Sequence, residues 1–93
     1  MENTISYKIE IYWKRSIGEK TFRTYLLKNI VYKNVPLYFI AIPNENYGLG
    51  HVQIAIFATR LHARLAIQSV SKFTWCEVNE YRYNLIKISI IKI

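Results

Sequence analysis

The stretch of sequence that decides the fold is ISYKIEIYWK, residues 5 to 14. Its odd-numbered side chains, from Ile5 to Trp13, are all apolar or aromatic, whereas the even-numbered ones are polar, charged or a tyrosine. This period of two is typical of a strand with one face on a core and the other on solvent. The following segment, 15–20, contains Gly18 and suits a hairpin connection. The sequence therefore predicts an antiparallel sheet that begins with a strand at Ile5–Lys14.

Three further segments have a β-forming composition. Thr21–Asn34 contains Thr, Tyr, Val and Ile, which favours a strand, although three of its apolar side chains also lie in line at helical spacing, so both interpretations stay open. Val35–Ile42 is a continuous apolar run, which predicts a strand that is either central in the sheet or covered on both faces. Val52–Ala58 alternates again and predicts another strand.

Residues 59–72 form the one helix that we predict. Their Ala, Leu, Arg and Gln favour a helix, although the alternation of apolar and polar residues also fits a strand. In a helix, Ala63 and Ala66 share a side with three larger apolar residues, and Arg60 and Arg64 share another side. The threonine that begins the segment can cap the first turn.

The last segment, Glu80–Ile93, predicts a long closing strand. Strict alternation divides its side chains into an inward and an outward set. The inward set is Ile86, Ile88 and Ile90, and the outward set is Tyr81, Tyr83 and Leu85. Because Leu85–Ile93 is apolar and lacks proline, it would promote aggregation at an open sheet edge. We therefore expect this part to be central in the sheet or covered by a second copy in a homodimer.

These segments together predict one domain, residues 1–93, of the α+β class. Its architecture is an antiparallel sheet of four to six strands with one helix, at about residues 59–72, packed on it. A chain of 93 residues forms a single core, and an apolar fraction of 52% supplies enough material to fill it.

The charge of the chain indicates a polyanionic partner. Thirteen Lys and Arg face six Glu and no Asp, which gives a net charge of +7, and eight Tyr, four Phe and two Trp lie among the cations. Basic surfaces attract phosphate, and aromatic faces stack on bases. We therefore predict a small, basic, non-enzymatic protein that binds DNA or RNA.

The candidate nucleic-acid contacts lie on the first strand, the helix and the last strand. They combine cations for phosphate contact with tyrosines for stacking on bases. The set is Lys8, Tyr12, Lys14, Arg60, Arg64, Tyr81, Arg82 and Tyr83. Ordinary solvent-facing cations and cross-strand tyrosine packing would explain the same residues without a ligand.

A protein-binding module is the alternative. Residues 44–51 form a turn-rich loop in which Tyr47, Leu49 and His51 can serve as anchors for a protein partner. The abundance of Ile, Lys, Asn and Tyr suggests AT-rich coding DNA, as in a phage or another mobile element. This reading predicts an inhibitor that docks on a host protein or nucleoprotein complex.

Catalytic and metal signatures are missing from the sequence. His51, His62 and Cys76 do not match a common zinc spacing, and Cys76 suits a small packing role instead. We therefore expect no metal, no cofactor and no enzymatic activity. The absence of a long apolar stretch argues against membrane insertion, and one cysteine fits a reducing, cytoplasmic setting.

The segment Tyr7–Ile11 and the basic last strand loosely resemble the small ribonuclease toxins that cleave messenger RNA on the ribosome. That resemblance would imply RNA cleavage, which is a third hypothesis with His51, His62 and Arg64 as the residues to test. The helical hairpin that follows the first strand in those toxins has no counterpart between Gly18 and Asn34, so we assign no family.

Overall fold

The computed structural model describes residues 5–18, 20–29, 37–43, 52–70 and 74–93. Within these ranges it contains six strands and one helix, as the sequence predicts for an α+β domain. The elements are β1 (Tyr7–Arg15), β2 (Thr21–Asn29), β3 (Leu37–Ile40), β4 (Val52–Ile54), α1 (Arg60–Ser69), β5 (Trp75–Val78) and β6 (Tyr81–Lys92).

The sheet is antiparallel and has the order β3–β2–β1–β6–β5, with β4 also paired to β2. A tight hairpin joins β1 to β2, and the backbone N–H of Arg15 donates to the carbonyl of Lys20 at 2.9 Å. Gly18 in this turn has a φ of +84°, a conformation that side chains with a Cβ rarely adopt. The open choice for residues 21–34 is therefore resolved as strand at Thr21–Asn29.

The core lies on the face of the sheet formed by the odd-numbered residues of β1. Ile9, Ile11 and Trp13 are fully buried there. Burial of such side chains stabilises a fold by roughly 1.5–3 kcal/mol each. The Trp13 indole Nε1 donates to Thr24 Oγ1 at 2.9 Å, and this hydroxyl donates to the Ala41 carbonyl at 2.6 Å. The polar end of the largest core side chain thus has a partner inside the core.

The helix packs on this core face through small residues. Ala63 and Ala66 are its buried residues, and Ile67 and Val70 pack partly buried against the core. Thr59 caps the first turn, because its side-chain oxygen accepts a 3.1 Å hydrogen bond from the backbone N–H of His62. The predicted cap is confirmed, and so is the shared side of Ala63, Ala66, Ile67 and Val70, whereas Phe73 lies outside the described residues. The helix ends at Ser69 rather than at residue 72.

Three predictions about strands were wrong. In the described part of the run 35–42, the strand β3 is terminal in the sheet order, and it is not covered on both faces, since Leu37 is 48% exposed. β4 ends at Ile54, and Ile56 is 53% exposed. The predicted alternation in the last strand fails because the register shifts between the Tyr12–Lys87 and Trp13–Leu85 pairs, which leaves Ile86 as an extra residue. Such a β-bulge reverses the facing of every residue on one side of it.

The bulge changes which side chains of β6 face the core. Tyr83 and Leu85 join Ile88 and Ile90 on the core face, whereas Ile86 is 54% exposed. Tyr83 is 1% exposed and packs edge-on against Phe22, with ring centroids 5.2 Å apart. The predicted outward orientation of Tyr81, Tyr83 and Leu85 and inward orientation of Ile86 are therefore wrong, whereas the inward orientation of Ile88 and Ile90 is confirmed.

Strand β2 is buried on both faces where it pairs with β3 and β4. Leu26 and Leu27 point to opposite sides of β2, yet their exposed fractions are 1% and 0%. Solvent therefore reaches the second face of the sheet on β1, β5, β6 and the first part of β2.

Candidate nucleic-acid interface

The sheet face opposite to the core brings cations and aromatic rings together. Cross-strand pairing places the even-numbered residues of β1 beside residues of β2 and β6, and β6 beside β5. We call this surface the outer face. It consists of Lys8, Glu10, Tyr12, Lys14, Thr21, Arg23, Tyr25, Trp75, Glu77, Arg82, Asn84, Lys87, Ser89 and Ile91.

Two rows of paired residues cross the middle of the outer face. In one row Tyr12 lies between Arg23 on β2 and Lys87 on β6. In the next row Lys14 pairs with Asn84, which in turn pairs with Trp75. Adjacent strands lie about 4.8 Å apart, which is shorter than the Debye length of about 8 Å at physiological salt. The cations of neighbouring strands therefore act together on an approaching anion.

Each aromatic ring of the outer face has a cation beside it. The Lys8 Nζ is 5.1 Å from the ring centroid of Tyr25, and the Lys87 Nζ is 5.9 Å from that of Tyr12. The Arg82 guanidinium lies 4.5 Å from the Trp75 ring. Cation–π pairs at exposed sites contribute about 0.5–1 kcal/mol, whereas stacking of a base on an aromatic ring contributes about 1–3 kcal/mol. A base can therefore displace these cations from the rings.

Glu10, the acidic residue at the centre of the outer face, is buried and has its charge balanced by a neighbouring arginine. Glu10 is 6% exposed, accepts a 2.6 Å hydrogen bond from the Tyr12 hydroxyl and lies 3.5 Å from the Arg23 guanidinium. The hydrogen bond to Glu10 raises the pKa of Tyr12, with desolvation and the glutamate charge adding to the effect. The Tyr12 hydroxyl therefore keeps its proton to a higher pH than an ordinary tyrosine does. Because Glu10 is paired with Arg23, it adds little negative potential at the surface.

The structure separates the sequence-predicted residues into three groups. Lys8, Tyr12, Lys14 and Arg82 share the outer face. Arg60 and Arg64 lie on α1, which packs on the opposite side of the sheet, and Arg60 lies over the Tyr7 ring at 5.3 Å. The helix cations therefore do not extend the outer face.

The two tyrosines of the last strand lie on the core side of the sheet. Tyr83 is 1% exposed, so its ring has no face open to a base. Tyr81 is 40% exposed, and its ring lies 4.7 Å from the Arg15 guanidinium near the hairpin end. The loop anchors Tyr47, Leu49 and His51 lie outside the described residues.

Among the cations and aromatic residues of the outer face, sequence reasoning missed four: Arg23, Tyr25, Trp75 and Lys87. Residues from β2, β5 and β6 join the surface only through strand pairing. Alternation in the last strand already places Lys87 on the outward side, but it does not show that this residue lies beside Tyr12 of β1. The helical alternative for 21–34 left the facing of Arg23 and Tyr25 undecided.

A second surface feature lies on the helix side of the sheet. A groove of about 420 Å³ is lined by apolar residues, together with His62 and Ser69. Leu65 and Ile56 line it and are 51% and 53% exposed, and Leu61, one turn before Leu65, is 59% exposed. Helix α1 carries no acidic residue, and Leu61 and Leu65 each directly follow a cation, Arg60 and Arg64.

Within the described ranges, no three His, Cys or Glu side chains cluster as metal ligands would. No helix in the described part of the chain is both long enough and apolar enough to cross a membrane. No protein-family model matches the sequence, and comparisons with curated proteins and with solved structures found no match either.

Proposed function

We propose that the protein binds single-stranded nucleic acid on the outer face. One observation carries the proposal: strand pairing gathers five cations and three aromatic rings on one solvent-facing surface, against two carboxylates. The cations are Lys8, Lys14, Arg23, Arg82 and Lys87, and the rings are those of Tyr12, Tyr25 and Trp75.

The arrangement favours a single strand over a duplex. A sheet surface with separated aromatic rings offers stacking platforms for unpaired bases, which a duplex keeps inside its stack. Tyr12 on β1 and Trp75 on β5 are separated by β6, and Lys14 and Asn84 lie in the same row as Trp75. In this arrangement the rings receive bases, and the lysines and arginines contact the phosphates that join them.

Fluorescence polarisation with labelled single-stranded DNA and RNA of about ten nucleotides tests the proposal, since this length lies within the usual range for such sites. We expect binding at low salt that weakens steeply as salt increases, because bound phosphates release counterions. A duplex of the same length should bind more weakly. Absence of binding to any of these probes at low salt would exclude the proposal.

Matched variants locate the interface. Lys14→Gln on the outer face should weaken binding and reduce the salt slope by about 1, whereas Arg64→Gln on the helix should leave the slope unchanged. Trp75→Ala should weaken binding by about 1–3 kcal/mol if a base stacks there. Tyr81→Ala, which removes a comparably exposed ring from the other side, is its control. Equal effects within each pair would show that the outer face is not the site.

The groove beside α1 supports a second candidate function, the binding of a protein. The occupant that fits its chemistry is an acidic amphipathic helix, which would cover Leu61 and Leu65 and pair its carboxylates with Arg60 and Arg64. The test is affinity capture from nuclease-treated lysate, followed by competition with a synthetic peptide of the partner's acidic segment. Leu65→Glu should abolish capture, and Leu37→Glu, at a residue 48% exposed elsewhere, should not. Capture that the peptide does not compete would exclude this candidate.

A further inference from the structure

The strand β6 has one edge that is only partly used. On one side it pairs with β1 from Tyr83 to Lys92. On the other side β5 pairs only with Tyr81–Asn84, and the Leu85 N–H donates to the Thr74 carbonyl at 2.8 Å. Among the described residues, no strand pairs with this second edge from Ile86 to Lys92.

The hydrogen bond between the Ile93 N–H and the Ser6 carbonyl, 2.8 Å long, shows which backbone groups point to the open edge. In an antiparallel pair, hydrogen-bonded residues alternate with residues whose N–H and C=O point away. Ser89 and Ile91 therefore direct these groups to β1, as Ile93 does, whereas Ile88 and Ile90 direct theirs to the open edge. Because no described strand pairs with these groups, they form a template for another strand.

We propose that a second copy of the chain occupies this edge, with its own β6 antiparallel to the first and a two-fold axis at Ser89. The open segment runs from Ile86 to Lys92, and Ser89 is its midpoint. Any other two-fold register would leave part of one open segment without a partner or run into β5. The self-pairing register is therefore fixed by the extent of β5.

The sequence of β6 is complementary to itself in this register. Ile88 lies opposite Ile90 of the partner subunit, and both face the core side of the sheet. Lys87 lies opposite Ile91 of the partner subunit, so no lysine faces another lysine. Cross-strand pairs of β-branched residues stabilise a sheet, and like charges directly opposite destabilise it. An unrelated strand would meet the backbone groups equally well but would gain nothing from this pattern.

The pairing joins the outer faces of two copies into one surface. Lys87 and Ser89 lie on the outer face, so the two basic surfaces meet at the axis. Because each chain carries a net charge of +7, repulsion opposes association at low salt. The affinity of the two copies for each other should therefore increase with added salt. The affinity proposed for nucleic acid decreases with added salt, so the two proposals can fail independently and the failures can be told apart.

Sedimentation velocity without nucleic acid, at several protein and salt concentrations, tests the dimer. We expect a concentration-dependent species of twice the 11.1 kDa chain mass. Ser89→Lys should weaken dimerisation by about tenfold or more, because the two lysines would lie directly opposite each other across the axis. In the monomer the new lysine lies opposite the carboxylate of Glu10 on the neighbouring strand β1, so the fold should tolerate it. Gln68→Lys, the same charge change on the exposed side of α1, is the control.

Two further measurements define the register. Ser89→Cys should form a disulfide-linked dimer under oxidation much faster than Gln68→Cys, because non-hydrogen-bonded cross-strand pairs bring side chains close together. On dilution, the amides of Ile88 and Ile90 should lose protection from hydrogen exchange, while those of Ser89 and Ile91 keep it through their bonds to β1. A monomer at all concentrations, or equal effects of the matched variants, would overturn the proposal.

Discussion

The Tyr12 hydroxyl donates a 2.6 Å hydrogen bond to Glu10 Oε1, and both residues lie on the same face of β1. This contact, together with the Arg23 guanidinium 3.5 Å from Glu10 Oε2, holds the carboxylate beneath the surface. Glu10 is only 6% exposed as a result. An acidic residue in the middle of a basic face thus becomes part of the scaffold that orients an aromatic ring.

Alkaline pH should weaken the fold through Tyr12. Because the folded-state pKa of Tyr12 is raised above its ordinary 10.0, the stabilisation from its protonated hydroxyl is fully present below pH 10. It is lost as the pH rises through the folded pKa. Urea unfolding of the wild type should therefore show a stability loss above pH 10 that Tyr12→Phe lacks. Parallel losses in the two proteins would contradict this prediction.

Thr24→Val should destabilise the core. The Thr24 hydroxyl, in a residue 4% exposed, accepts from the Trp13 indole and donates to the Ala41 carbonyl. Valine keeps the shape but removes both bonds, which should lower the free energy of unfolding by about 1–3 kcal/mol. Thr21→Val, at an exposed position of the same strand, should change it by no more than about 0.5 kcal/mol. Urea denaturation that finds equal changes would show that the network contributes nothing.

Glu80→Gly should stabilise the protein. The two-residue turn between β5 and β6 has positive φ at both positions, 51° at Asn79 and 69° at Glu80. Asparagine tolerates this conformation, whereas a glutamate is strained there by about 1–2 kcal/mol. Thermal unfolding should therefore move upwards for Glu80→Gly. Glu80→Ala, which removes the same charge but keeps the Cβ, should not reproduce the gain, and if it does, charge rather than strain is the cause.

Cys76 should be a slow nucleophile. Burial raises the pKa of its thiol above the ordinary 9.0, and the residue pairs across β5–β6 with the buried Tyr83. Less thiolate is then present at any pH near neutral, so alkylation by iodoacetamide should be slower than that of the urea-unfolded chain, and its rate should go on rising at a pH where the rate of the unfolded chain has levelled off. Equal rates for folded and unfolded protein would refute this expectation.

Much of the fold could be predicted from local patterns. The alternation around β1 and the Thr59 cap identified a strand and a helix because both signals depend on residues a few positions apart. The outer face was predicted in part, since Lys8, Tyr12 and Lys14 lie on one strand. Arg23 and Lys87 could not be placed beside Tyr12 from the sequence, because their positions depend on pairing between distant segments.

Local sequence patterns were enough to show that the chain is basic, that β1 has an apolar and a polar side, and that residues 59–72 favour a helix whose first turn Thr59 can cap. The tertiary structure was needed to show that β3 is terminal in the sheet order, that Glu10 is buried, and that Tyr83 faces the core. The physical reason is that alternation gives each strand two distinct faces but does not fix its neighbours or its bulges. One extra residue at Ile86 reversed the facing of Tyr83 and Leu85 relative to strict alternation.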